Sequence, residues 1–257
     1  MKHIDFATAE LATFLEARGL APPVATPHVL HGNTADQILQ FVADNYIDLL
    51  VLGRYGKGGL KRGVIGSIAA ALMRKCPVSV CLVSPEHSGA HNHIAVATAL
   101  AEESHIPIAR AIDLAHRKGF KSIDLIHVFR VPQGYHMVCS WDDAVAKLTR
   151  AYTDKAHAAI DHARQTARQT AGPDASADVE VNLIVEEGAP ATKLAEIVER
   201  EGIDMLIGAP HTRTHAAKLF LPPVAESIIN RLNCTTWAEK TPAKTETMLD
   251  ALKKLLS

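Results

Sequence analysis

The sequence predicts an α/β protein made of two tandem doubly wound parallel sheets with flanking helices, the first of them incomplete. Three observations carry this. Short apolar runs without polar alternation, such as Leu49 to Leu52 and Val78 to Val83, alternate with amphipathic stretches of helical length, the pattern of strands buried on both faces of a parallel sheet. A basic, glycine-rich loop connects one such strand to a helix. The chain also repeats itself without a gap: an offset of 156 (188 − 32) carries Gly32 onto Gly188, Val42 onto Val198, Ile47-Asp48 onto Ile203-Asp204, Leu50-Val51 onto Leu206-Ile207 and Ala69 onto Ala225.

In the first repeat, the strand at Leu49 to Leu52 ends at Gly53. Gly56, Gly58, Gly59 and Gly63 punctuate the loop until Gly66 and Ser67 open a helix over Ile68 to Lys75, with Arg74 and Lys75 where cations suit the helix dipole. Pro77 stops it, and Val78 to Val83 is the next strand. In the second repeat, strands are predicted at His93 to Ala99, Ser122 to Phe129, Val179 to Val185, Met205 to Ala209 and Cys234 to Trp237. Helices are predicted at Ile106 to Lys118, Trp141 to about Thr170, Ala191 to Glu201 and Val224 to Arg231, the first and third ended by Gly119 and Gly202. Thr245 to Leu256 reads as a further amphipathic helix. The expected organisation is residues 1–86, an incomplete domain; 93–240, a complete one; and 241–257, the C-terminal helix.

The deficit is specific. Subtracting 156 from 93 places the first domain's opening strand before Met1, so its first two strands have no counterpart and Val24 to His31, its third, has no neighbour to pair with. Unpaired buried backbone is too costly to persist. Three arrangements answer this: Met1 is an internal start, another copy supplies the strands, or the N-terminal segment packs differently.

Composition narrows function. With a net charge of −1 and a pI near 6.9 the chain offers no global field for nucleic acid or an anionic membrane. No apolar run approaches the roughly 20 residues of a membrane span and no signal pattern opens the chain, so the expected location is the cytoplasm. Cys76, Cys81, Cys139 and Cys234 form no C-x-x-C pair, and three of them read as small core residues. Of the histidines, His87, His91 and His93 cluster in the linker and His211 and His215 share a loop, but no cysteine or carboxylate pattern completes a metal site.

The chemistry sits in the glycine loop. Helix-terminal amides at Gly66 and Ser67, glycines that admit a ligand to the main chain, and Arg54, Lys57, Lys61 and Arg62 nearby suit a phosphate. The plain alternatives are an exposed connection with solvated cations and, for Ser67, a helix cap. A Walker A loop requires Gly-Lys-Ser/Thr, which Val64-Ile65-Gly66-Ser67 does not supply, and the spacing Gly53, Gly56, Gly66 is wrong for G-x-G-x-x-G. It meets the Gly-two-Gly-nine-Gly-Ser/Thr pattern instead, and with Asp48 before the strand and Cys76-Pro77-Val78 before the next, the unit resembles the universal stress protein family from end to end.

That resemblance implies Rossmann-like, adenine nucleotide alpha hydrolase-like domains with strand order 3-2-1-4-5 and ATP, with magnesium, across the carboxyl ends of the strands. Carried onto this chain, the phosphate half is Gly53, Arg54, Gly56, Gly66 and Ser67 in domain one, which lacks the adenosine half. Domain two is expected to be degenerate: Ala99, Leu100 and Ala101 replace the family's polar residues after its first strand, and Ala209, Thr212, Pro222 and Pro223 replace the loop residues. Family dimers associate through their final strands, so Val78 to Val83 and Cys234 to Trp237 are expected to pair, within the chain or in a homodimer. The function implied is a nucleotide-binding regulator of the stress response acting through ligand-dependent domain pairing, with no catalytic residues. No G-x-S-x-G elbow, Ser-His-Asp set, pyrophosphatase-type serine-glycine-glycine loop or general base accompanies the site. The competing reading is a dimerisation or interaction scaffold with two dead sites.

Overall fold

The computed structural model describes residues 2–20, 24–55, 65–87, 91–172, 178–209 and 223–240. By contacts the chain divides into two compact units, Met1–Asn45 and Tyr46–Ser257.

The first unit holds α1 (Lys2–Glu16) and α2 (Thr34–Asp44). Asn33 caps α2, its side chain accepting from the amides of Ala35 and Asp36 at 3.1 and 3.3 Å. Leu39 and Val42 form the buried stripe of α2, and His28 packs on Phe41 with ring centroids 4.8 Å apart. Residues 24–31, expected as a strand, form none; Val24 and Leu30 are exposed. A ladder needs a partner, and no described segment supplies one.

The second unit carries β1 (Leu49–Gly53), α3 (Ser67–Lys75), β2 (Ser79–Val83), β3 (Ile94–Ala97), α4 (His105–Lys118), β4 (Ser122–Phe129), α5 (Trp141–Ala171), β5 (Glu180–Glu187), α6 (Pro190–Arg200), β6 (Met205–Gly208), α7 (Pro223–Arg231) and β7 (Thr235–Ala238). The seven strands form one sheet in the order β1-β2-β7-β6-β3-β4-β5. Every neighbouring pair is parallel except β2 and β7, which meet antiparallel with Val80, Cys81 and Leu82 opposite Ala238, Trp237 and Thr236. The two predicted end strands therefore pair within one chain. Among the described residues the first repeat contributes β1 and β2 to this sheet.

The sequence dictates most boundaries locally. Gly119 ends α4 in the left-handed region at φ 73°, letting the amide of Phe120 reach back to the Ala115 carbonyl at 2.9 Å. Ser140 caps α5 by accepting from the Asp143 amide at 3.2 Å, which places Asp142 and Asp143 in its first turn. The expected helix at 245–256 lies outside the described residues.

Two apolar layers sandwich the second repeat's part of the sheet. Ile94, Val96, Leu125 and Ile207 pack under α4 and α5. On the other face Ala95, Ile126 and Leu206 pack with Leu194, Ile197 and Val198 of α6 and with Leu232 after α7. Across the repeat junction Glu239, 3% exposed, accepts from Arg110 on α4 at 3.2 Å and from the Trp237 indole at 2.6 Å, while the Ser79 hydroxyl donates to it at 3.3 Å. That carboxylate is buried and satisfied, and it ties α4 to the β2–β7 seam.

The offset of 156 holds for elements as well as letters. Thr34–Asp44 maps onto Pro190–Arg200 (34 + 156 = 190) and Ser67–Lys75 onto Pro223–Arg231 (67 + 156 = 223). Before each of the first pair a glycine turns the chain, Gly32 at φ 141° and Gly188 at φ 158°. A Cβ on either would stand 3.0 Å from the repeat-equivalent side chains of Gln37 and Lys193 (37 + 156 = 193).

Candidate functional site

The glycine loop leaves β1 at Gly53 and returns at Ile65. Its ends are stitched by main-chain bonds: the Gly66 amide donates to the Arg54 carbonyl at 3.1 Å, and the Arg54 amide donates to Val83 at 3.0 Å. The Ile65 amide is held at 3.2 Å by the side chain of Asn230 on α7. This fixes the N-terminus of α3 at the carboxyl end of β1, with Gly66 as N-cap and Ser67 exposed at the first helical position. Among the described residues no side chain caps α3. Gly56, with Lys57, Lys61 and Arg62, lies outside the described residues.

Neither Gly53 nor Gly66 is held in the left-handed region that favours glycine. A Cβ at Gly53 would make an ordinary 3.5 Å contact with the Tyr55 carbonyl, and Gly66 sits at φ −58°, ψ 144°, which any residue adopts. Their lack of side chains leaves the main chain approachable at the end of β1.

Arg54 departs from its expected place among the loop cations. It is fully buried, and its guanidinium donates to the carbonyls of Cys234, at 3.2 Å, and Ile229 at the C-terminal end of α7. A cation there adds a charged donor to carbonyls that already accept the Leu232 amide and the Thr236 hydroxyl, and it complements the helix dipole. No local pattern signals this role, because the partners stand 175 and 180 positions away. A second buried cation does the reverse: the Lys240 ammonium, just after β7, donates to the carbonyls of Met73, at 3.3 Å, and Cys76 at the end of α3. Burial pulls the Lys240 pKa down to about 8.

In the second repeat the end of β3 spends its polar groups on itself. The Thr98 amide donates to Ile126 at 3.1 Å, its hydroxyl donates to Ser104 at 2.7 Å and accepts from the Leu100 amide at 3.0 Å. Leu100 holds a left-handed conformation at φ 52° and packs on the apolar core. Beside it on β4, buried His127 hydrogen-bonds through Nδ1 to the Thr98 carbonyl at 2.9 Å, which leaves Nε2 as the bare nitrogen of a neutral ring. Burial holds its pKa below the usual histidine value. His127 carries no sequence signal, since a histidine within an apolar strand reads as core. At the opposite end of the strands, His93 binds Asp124 at 2.8 Å, and no three of the described histidine, cysteine and acidic side chains converge. The cysteines are free thiols. No described helix is long and apolar enough to cross a membrane.

The sequence model of the universal stress protein family matches residues 3–84 and again 91–238. No curated protein matches the chain. Among solved structures, a protein of unknown function from Pseudomonas aeruginosa PAO1 aligns over 97% of this chain and 82% of its own, with 16% identity and a TM-score of 0.64. A putative universal stress protein from P. aeruginosa UCBPP-PA14 gives the same values. A universal stress protein from Archaeoglobus fulgidus DSM 4304 aligns over 93% of this chain and 76% of its own, with 15% identity and a TM-score of 0.55. At these identities the likeness is one of fold.

Proposed function

The chain belongs to the universal stress protein family, and from that premise we propose that it is a cytoplasmic regulator of the stress response that binds ATP, with magnesium, through its first repeat. The phosphates lie against the N-terminus of α3, on main chain at Gly53, Gly56 and Gly66 and on Ser67. Arg54 takes the part of a structural cation behind the loop. Binding is regulatory rather than catalytic: it shapes the pairing of the repeats, or of two chains as a homodimer, and no nucleic acid is involved. The observation that carries this is the stitched loop that sets a helix N-terminus, uncapped by any described side chain, beside two glycines outside the left-handed region that favours glycine.

A second reading is an interaction scaffold with both sites dead. It is favoured by the Gly66 amide already being spent on the Arg54 carbonyl, and by the self-satisfied end of β3. One experiment separates them: thermal unfolding with and without millimolar ATP and magnesium, on the natural chain and on Ser67→Pro. The second repeat carries Pro223 at the equivalent position (67 + 156 = 223), so the change removes an amide without straining the helix. ATP is expected to raise the melting temperature of the natural chain and not of the variant. No shift in the natural chain establishes the scaffold.

A further inference from the structure

The open edge of β1 has a filled counterpart elsewhere in the same molecule. In the second repeat, β6 is flanked by β7 on one side and β3 on the other, with Ile94 to Ala97 running parallel beside Met205 to Gly208. The incoming strand is seated by a carboxylate: Asp204 accepts the amides of Asn92 and His93 at 2.7 and 3.1 Å, and the His93 carbonyl in turn accepts from the amides of Asp204 and Met205, each at 3.2 Å. Subtracting 156 from this receptor gives Asp48 and the strand from Leu49. There, among the described residues, β1 is hydrogen-bonded to β2 only, and Asp48 is exposed and accepts no hydrogen bond. Val51 is 56% exposed where its counterpart Ile207 is fully buried.

Edge strands are usually blunted by lysine, proline or a bulge. Leu49–Gly53 carries no charge and no proline. We propose that this edge receives, by strand addition, an extended apolar segment of another polypeptide, parallel to β1, with its two leading amides on the Asp48 carboxylate. The second repeat also supplies the side-chain code. Ile94 and Val96 join the layer that holds Ile207, the counterpart of Val51, whereas Ala95 joins the layer of Leu206, the counterpart of Leu50. The ligand is therefore a proline-free stretch alternating bulky aliphatic residues, toward Val51, with alanine-sized ones. A second copy is not the source, because the segment of this chain with that pattern, β3, is paired on both sides in the middle of its sheet.

The probe is a fluorescein-labelled peptide of residues 91–99, HNHIAVATA, titrated into the full chain and read by fluorescence anisotropy. Saturable binding is expected, weakened at least tenfold by Val51→Lys and by Asp48→Lys, and absent for the same peptide with proline at its central alanine. Both substitutions fall on exposed positions, so circular dichroism should be unchanged. The proposal is overturned by no binding, by equal binding to the Val51→Lys chain, or by a dimer of the natural chain in sedimentation that Val51→Lys dissolves. Slow amide exchange on the outer side of β1 in the free chain also overturns it, since the edge would then be covered already.

Discussion

Cys81 lies opposite Trp237 in the antiparallel ladder between β2 and β7, and the two are repeat-equivalents (237 − 81 = 156). A residue facing its own counterpart marks a twofold axis, here one relating the halves of a single chain. The neighbouring pairs obey it: Val80 faces Ala238 and Leu82 faces Thr236, each position meeting the counterpart of the other. So do the side chains. The Ser84 amide donates to the Thr235 hydroxyl at 3.2 Å, and the Lys240 amide donates to the Ser79 hydroxyl at 3.0 Å, the same bond carried across the axis. Arg54 and Lys240 then cap, in opposite directions, the helix that ends on the other side. This seam continues the sheet from one repeat into the other, so that the described strands of the first repeat, β1 and β2, extend the sheet of the second.

Arg54 is accordingly expected to act on stability rather than on ligand affinity. Arg54→Met keeps most of the buried volume but removes the charge-assisted bonds to the carbonyls of Ile229 and Cys234, which keep the Leu232 amide at 3.2 Å and the Thr236 hydroxyl at 3.4 Å, a loss of about 2 kcal/mol. Urea unfolding should show that loss equally with and without ATP and magnesium. A variant of unchanged stability that no longer responds to ATP would return Arg54 to the phosphate site.

Much of this architecture is legible from letters because local chemistry fixes it. Buried strands show as apolar runs, Gly119 and Ser140 mark helix ends by the backbone bonds they allow, and the offset transfers one repeat's boundaries to the other. The same offset misleads at residues 24–31, whose counterpart β5 is a strand only because β4 pairs with it along its whole length. Gly208 and Leu52 differ for a related reason: a Cβ at Gly208 would stand 3.4 Å from the Ala97 carbonyl on β3, a neighbour β1 does not have. The burial of Arg54 was illegible, since a cation beside glycines reads as an anion ligand until the far end of α7 is placed against it.

Tyr46 and Gly202 give a matched test of backbone strain. They are repeat-equivalents (202 − 46 = 156), each just past the end of its helix in the left-handed region, at φ 52° and 65°. Glycine adopts this conformation freely, whereas a residue with a Cβ is strained in it. The Tyr46 side chain is 84% exposed, so little packing offsets the strain. Tyr46→Gly is expected to raise stability by about 0.5–1 kcal/mol and Gly202→Ala to lower it by about 1 kcal/mol, both read from urea midpoints. A destabilised Tyr46→Gly chain would show that the tyrosine ring contributes contacts outweighing its backbone.

Lys240 makes the seam sensitive to alkaline pH, with a sign that follows from its burial. Its folded pKa of about 8 lies below the ordinary 10.5, so between these values the unfolded chain binds more protons and stability rises with pH. Cys81 and Cys234 act oppositely: burial pushes each thiol from 9.0 up to about 11, so above pH 9 the unfolded chain loses protons that the native chain keeps, and stability falls. From pH 8 to 9 the natural chain should therefore gain only a few tenths of a kcal/mol, about 1 from Lys240 less about 0.7 from the two thiols, and then turn over. Lys240→Met replaces the ammonium with an apolar end of similar length, and its urea midpoint should already fall between pH 8 and 9, by about 0.7 kcal/mol of stability from the two thiols. If the two chains keep a constant difference across pH 8 to 9, the ammonium keeps its proton in the native seam, and the Met73 and Cys76 carbonyls outweigh the cost of its burial.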